Sequence, residues 1–180
     1  MARIIGERIA LREFRQEDIS AIRSWVTDNA TTRALGGVYL RPQTWEQSER
    51  YLAALLEGDA GGVNLVIADR QSLRYLGQCS LMMIDNTARH AELAVVMCPA
   101  CQGQGLGEEG IRLMLDFAFR QMNLRRVHLK VRSDNPQAIR CYEKCGFVRE
   151  GCLRQHAFAD GEYRDVLLMG ILADEFYSHA

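Results

Sequence analysis

This 180-residue chain has no excess of charge of either sign. Its 22 Lys and Arg stand against 23 Asp and Glu, a formal net charge of -1. That balance excludes a broad basic surface for nucleic acid or an anionic membrane. No apolar run approaches the roughly 18 residues needed to cross a bilayer. The opening MARIIGERIALREF lacks an apolar signal core and a cleavage site, which predicts a cytoplasmic protein. Repeats, low-complexity tracts and linkers are absent too. The length suits one domain, residues 1–180, with a real core, and is short for two.

A complete zinc motif is also lacking. Of the 6 cysteines, Cys98 and Cys101 form a C-x-x-C pair, but no second such pair or H-x3-H follows. Cys141 and Cys145, one helical turn apart, could supply two more ligands. A redox pair would open a helix after a strand. This one precedes a glycine-rich turn instead. The reading adopted is buried or half-buried thiols and no metal.

What is present is ordinary for a globular protein: 48% hydrophobic and 25% charged residues. Residues 4–14 alternate and predict a strand. Spacing of 3.6 predicts a helix over 19–26, with Asp18 as its N-cap. Thr44 to Gln47 reads as a capping box before a helix over 45–57, which stops at Gly58. Residues 30–43 show little regular periodicity and read as a loop. Strands are expected at 63–69, 76–84 and 91–97, and a helix from about Glu108. A strand follows at 126–132 and a helix at 136–145. Two antiparallel strands, 147–156 and 163–171, bracket the hairpin signal Asp160-Gly161. The fold class expected is α/β (α+β), a mixed, mostly antiparallel sheet with helices on both faces.

Two segments carry chemistry. Residues 102–107 read QGQGLG. Gly103, Gly105 and Gly107 let backbone N–H groups converge on one anion, beside the positive end of the following helix. Gln102 can add a side-chain donor. The same glycines also suit a plain tight connection. Gly105-Leu-Gly107-Glu-Glu-Gly110 fits the dinucleotide pattern G-x-G-x-x-G as well. Context opposes that fit: a Cys-Pro-Ala-Cys bend precedes it, and Lys130 and Arg132 lie where an acid belongs. The second segment is SDNPQAIRCYEKCGF, residues 133–147. Asn135 can cap the helix or bond a cofactor amide. Tyr142 is either a core aromatic or a half-buried ring with its hydroxyl in a cleft.

Together these segments resemble the GNAT superfamily of acyl-coenzyme A-dependent N-acyltransferases. QGQGLG matches that family's pyrophosphate loop, and DNPQAIRCYEKCGF matches its later strand–helix motif. The resemblance covers essentially the whole chain. The opening LREFRQEDISAI, the AELAVVM segment and the closing EGCLRQHAFADGEYRDVLLMGIL look like the RimJ/RimL-like branch. That branch contains ribosomal-protein alanine acetyltransferases, and spermidine and some antibiotic acetyltransferases look similar.

The resemblance implies acetyl-coenzyme A as cosubstrate, bound between strands 91–97 and 126–132 where they splay. The contacts it implies are Val95, Val96 and Met97 for the pantetheine arm, and Gln102, Gly103, Gln104, Gly105, Leu106 and Gly107 for the pyrophosphate. Asn135, Ala138 and Tyr142 complete the cofactor set. The acceptor amine would attack the thioester directly. Its class is a protein N-terminus, a polyamine or an aminoglycoside-like amine, with no nucleic-acid or membrane partner. The final hairpin offers an edge for a homodimer.

Attack needs a neutral amine. Deprotonating a lysine-like amine at pH 7 costs about 4–5 kcal/mol, and an α-amine about 1–1.5 kcal/mol. Glu92 is the candidate base, against the plainer reading of a solvated strand carboxylate. Tyr142 is the candidate proton donor to the leaving thiolate. Asp85, Glu162 and Asp165 could draw a cationic amine, or Asp165 could simply pair with Arg164 or Arg154. Trp25, Tyr39 and Trp45 could line the acceptor side or pack in the core. Two other classes remain open: a non-catalytic acyl-coenzyme A-binding module and a dinucleotide-dependent oxidoreductase.

Overall fold

A computed structural model describes residues 4–58 and 61–178, apart from the side chain of Val38. Eight strands form one sheet: β1 (Ile4–Ile5), β2 (Ile9–Arg12), β3 (Val63–Asp69), β4 (Tyr75–Asp85), β5 (His90–Met97), β6 (Arg126–Arg132), β7 (Val148–Ala159) and β8 (Glu162–Leu172). Their order is β1-β2-β3-β4-β5-β6-β8-β7. All neighbours are antiparallel except β5 and β6. Six helices are α1 (Ile19–Val26), α2 (Asn29–Leu35), α3 (Trp45–Glu57), α4 (Leu106–Arg120), α5 (Pro136–Lys144) and α6 (Ala173–Ser178).

The strand expected over residues 4–14 is two strands, because Gly6 to Arg8 turns the chain against α4. A Cβ on Gly6 would come 2.5 Å from Glu109 Oε1. Asp18 precedes α1 but makes no capping bond. Its carboxylate instead takes two hydrogen bonds from the Arg12 guanidinium, at 2.9 and 2.7 Å, with both side chains buried. A second buried polar chain seats α1 and α3. Trp25 Nε1 donates to the Tyr75 hydroxyl, which donates to Gln78 Oε1, and Gln78 Nε2 donates to the Tyr51 hydroxyl. Burial pushes the Tyr51 phenol up to about 12, so it stays a neutral partner in that chain.

Residues 30–35, expected as part of a loop over 30–43, belong to α2. Asp28 caps it by accepting from Thr31 N at 2.8 Å, and Gly36 ends it at φ 68°. The helix hides from periodicity because it buries Thr31 and Thr32 rather than apolar residues. The capping box at Thr44 and Gln47 is formed, and Gly58 closes α3 in the left-handed region. Asp160 and Gly161, at φ 54° and 78°, make the tight turn between β7 and β8. The terminal helix α6 carries no buried residue, so no apolar stripe announces it.

Alternation sorts the sheet residues by face. Ile67, Gly77 and Met97 share a register row, and so do Val66, Gln78 and Val96 on the other face. Ile67 lies under Gly110 and Met97 under Gly107, which places α4 on the first face. Tyr51 reaches Gln78 from α3, which places α3 on the second. In β6, Val127, Leu129 and Val131 are buried, while His128 and Lys130 point the other way and stay partly or fully open.

Candidate active site

The site begins where the sheet stops being a sheet. β5 and β6 pair only at His90↔Arg126, Ala91↔Val127 and Glu92↔His128. Beyond Glu92, β5 stays with β4 as far as Met97, while β6 stays with β8 as far as Arg132. Each strand therefore follows its outer neighbour, and a V opens with Glu92 and His128 at its vertex. The inner edges of both arms keep backbone polar groups that an extended ligand can use. Val95, Val96 and Met97 lie along one arm.

At the end of that arm, Pro99–Cys101 makes a 3-10 turn and the glycine segment follows. Gly103 and Gly105 sit at φ 72° and 77°, where a side chain is strained. Gly107 is already helical, and a Cβ there would touch Met97 Cγ at 3.4 Å. Helix α4 starts at Leu106 rather than near Glu108, with Gly105 as N-cap and no side-chain cap. Its first N–H groups are left for a ligand. The two first-turn carboxylates do not block this. Glu109 takes N–H bonds from Arg8 and Ile9 and pairs with the Arg8 guanidinium, and Glu108 pairs with Arg112.

The two glutamines hold the turn rather than project from it. Gln102 Nε2 donates to Met97 O at 3.2 Å and Thr31 Oγ1 at 3.1 Å. Gln104 Nε2 donates to Ala100 O, and its carbonyl accepts from Arg8 Nη1 at 3.0 Å. Sequence reading offered no sign of Arg8, whose partners lie about a hundred residues away.

Helix α2 bridges the V. Thr31 meets Gln102 on the β5 side, and the Arg33 carbonyl accepts from Arg132 Nη1 on the β6 side. Arg33 also pairs with Asp160 at 2.9 Å. Acids near this mouth are already matched. Asp134 pairs with Arg132 and Arg164, and Glu162 with Arg164, while Asp165 accepts from Gln155 N. Hydrogen bonds from Arg132 hold the Asp134 carboxyl below its ordinary range. Asp85 lies at the far end, accepting from Thr87 N and Ala88 N in a turn. Among the aromatics, Trp25 is buried with Tyr39 edge-on at 5.5 Å, and Trp45 sits exposed under Arg23.

The helix that carries Tyr142 and the side chain of Glu92 lie on opposite faces of the sheet. Asn135 caps α5 by accepting from Ala138 N at 3.1 Å, and Pro136 begins the helix. The helix end turns at Gly146 against Ile171, whose strand partner is the buried Val127. Tyr142 is thereby buried, with Phe147 edge-on at 5.9 Å. Its hydroxyl has no hydrogen-bond partner among the described residues. Burial holds the phenol well above its ordinary value, so it remains a donor at every working pH. On the other face, Glu92 Oε2 accepts from Lys130 Nζ at 3.2 Å and lies 3.8 Å from His128 Nε2. His128 was not singled out in the sequence and Lys130 was weighed only against the dinucleotide pattern, although alternation puts both opposite the buried Val127 and Leu129.

A V-shaped strand pair and an uncapped glycine turn form one continuous cradle. Residues 8–148 match the family model of an acetyltransferase (GNAT) domain. The chain belongs to the GNAT acetyltransferase family. Acetyl-coenzyme A is the donor of that family, and the chain is grouped with its N-acetyltransferases. It is similar to the spermidine N(1)-acetyltransferase of Vibrio cholerae, 36% identical over 115 residues. That match spans 64% of this chain and 66% of the relative. The ribosomal-protein-serine acetyltransferase of Escherichia coli is 31% identical over 99 residues, 55% of each chain. The crystal structure of the Vibrio cholerae spermidine N-acetyltransferase with CoA and spermine superposes with a TM-score of 0.84. It is 28% identical, covering 96% of this chain and 99% of that one. These GNAT neighbours share the mixed sheet described above. Among the described residues no helix is long and apolar enough to cross a membrane.

Proposed function

We propose that this protein transfers the acetyl group of acetyl-coenzyme A to a primary amine, by direct attack within a ternary complex. The observation that carries this reading is the V at Glu92↔His128, continuous with the uncapped N-terminus of α4. The pyrophosphate sits on the N–H groups of 103–107, with Arg8 adding positive charge beside Gln104. The pantetheine arm lies along Val95 to Met97 as an added strand, and a backbone N–H there polarises the thioester carbonyl. Gln102 and Gln104 shape the turn. Asn135 and Ala138 set the helix that presents Tyr142.

Once the amine is neutral, its nitrogen bonds the carbonyl carbon. The carbon–sulfur bond then breaks, with its electron pair going to sulfur. Tyr142 steadies the thiolate by donating a hydrogen bond. Full transfer from a phenol to a thiolate of pKa ~8.5 runs uphill, so the proton that ends on sulfur is supplied by the attacking nitrogen. Six free cysteines fit a reducing, cytoplasmic setting and none is needed as a nucleophile.

For the acceptor, the names of the relatives favour a polyamine. One observation favours a second reading, an N-terminal α-amine. The mouth acids Asp134, Asp160 and Glu162 are each paired with an arginine, and residues 29–44 hold Arg33 and Arg41 but no acid. A polycation gains little from acids already neutralised. Free thiol release is the test, with acetyl-coenzyme A against spermidine, N-terminal peptides and aminoglycosides. Release with at least one amine is expected. Tight coenzyme A binding without turnover on any of them makes the protein a binding module instead.

A further inference from the structure

The vertex of the V holds more ionisable groups than the reaction above uses. Glu92, His128, Lys130 and His90 lie together there, on the face away from α4. Glu92 is not free to act alone, since Lys130 donates to its Oε2 at 3.2 Å. His128 is the uncommitted member. Its Nε2 faces Glu92 Oε2 at 3.8 Å, too far for a hydrogen bond. Its Nδ1 is buried and has no hydrogen-bond partner among the described residues, and the same is true of His90 Nδ1. The His90 ring stands edge-on to it at 5.4 Å. The ring is therefore walled on one side, and the other nitrogen is turned to a carboxylate at the opening.

Resting on the acetyl-transfer reading, we infer that His128 is a catalytic residue that takes the proton of the acceptor ammonium at Nε2, with Glu92 as the anion that steadies the resulting imidazolium. The ammonium gives one proton to Nε2 directly or through one water, and the imidazolium returns it to solvent. The neutral nitrogen then bonds the thioester carbon and sulfur leaves with its electron pair. The second nitrogen proton goes to sulfur, so one amide, one thiol and one released proton balance one ammonium and one thioester.

Charge around the ring suits this task. Burial lowers its pKa, Glu92 raises it, and Arg126, His90 and Lys130 lower it, with a net fall from 6.5. Arg126 is itself neutralised by Glu150 from β7, and Gly170 of β8 lies opposite His128 without charge. The imidazole is thus neutral at pH 7 with a lone pair to accept a proton. A base that titrates nearer the working pH accepts a proton more readily than a carboxylate of pKa ~4.3.

The test is kcat against pH for wild type, His128→Gln and Glu92→Gln, at saturating acetyl-coenzyme A and an amine found active. Coenzyme A affinity and Tm serve as folding controls. Wild type is expected to lose activity in a limb below pH 6.5, apart from the amine's own ionisation near ~8–10. His128→Gln is expected to lose about a hundredfold in kcat and to lose that limb. Glu92→Gln is expected to keep it, displaced to lower pH. His128→Ala regaining activity with added imidazole supports the role where the glutamine variant folds poorly. A limb that persists in His128→Gln, or a kcat within threefold of wild type, overturns His128 and leaves acetyl transfer standing. A limb that vanishes only in Glu92→Gln makes Glu92 the base. No wild-type turnover with any amine overturns both.

Discussion

The two faces of β6 differ as much as any two regions of this protein. Val127, Leu129 and Val131 are buried beneath the α4 and α5 layer, while Arg126, His128, Lys130 and Arg132 carry charge or titrate on the other face. One face exists to exclude water, and its chemistry is fixed by packing. The other has charged groups that are only partly desolvated, so each can shift its neighbour's protonation. Because the sheet opens at Glu92↔His128, a thioester bound as proposed would meet both: Tyr142 from the packed side and the Glu92–His128 pair from the charged side. In the proposed reaction it is the split in the sheet, more than any single residue, that would let two faces serve one bond.

The largest effect that would separate the faces is structural. Leu129 is 1% exposed, and Leu129→Ala is expected to lower unfolding free energy by about 2–5 kcal/mol. Denaturant titration reads this. A loss of under about 1 kcal/mol, within what well-tolerated core swaps cost, would mean this face is not the packed one.

Tyr142→Phe comes next, with kcat falling about 10- to 100-fold, at or below the low end for a positioned proton donor. Its hydroxyl makes no protein hydrogen bond among the described residues, so stability should hold within about 0.5 kcal/mol. Turnover within twofold of wild type removes Tyr142 from the reaction. A large fall in Tm with unchanged kcat would return it to the core.

Gly105→Ala probes the cradle between the faces. At φ 77° an alanine costs about 1–2 kcal/mol, and its Cβ would stand 3.1 Å from Arg8 Nη2. Coenzyme A affinity is expected to weaken about tenfold, the equivalent of ~1.4 kcal/mol, while kcat at saturation stays close to wild type. Calorimetric titration with coenzyme A measures the first and thiol release the second. Unaltered affinity would show that the pyrophosphate does not use this turn.

How much of this was open to sequence reading depended on how local the cause was. Residues 126–132 alternate with period 2 and residues 63–69 form a short run rich in Val, Leu and Ile, and both strands fall on those bounds. The capping box and Gly58 bound α3 as expected, because capping needs only neighbours. Helix α2 was invisible because its buried residues are threonines. Asp18 carried the right residue type for a cap but was claimed by Arg12, six residues away across a turn. The glycine turn was legible, yet the inward commitment of Gln102 was not, since Thr31 lies 71 residues off. The Glu92–His128 contact likewise needs the β5–β6 register. Alternation says that His128 faces away from the core, and only topology says what it faces.

The smallest expected effect tests the charged face most directly. Lys130 has a side chain 47% exposed, so Lys130→Met is expected to alter stability by no more than about 0.5 kcal/mol. Its consequence is electrostatic. The ammonium beside Glu92 disfavours a second positive charge on the neighbouring imidazole, and it is one of the groups that lower the His128 pKa. Removing it must therefore raise that pKa, and the acid limb of kcat should move to higher pH. Removing Glu92, which favours the imidazolium, must move the same limb to lower pH. Imidazole proton shifts in NMR follow His128 without any substrate and should give the same two signs. Shifts of one sign in both variants would mean that Glu92 and Lys130 act on His128 through altered burial, and the pairing at the vertex would have to be redrawn.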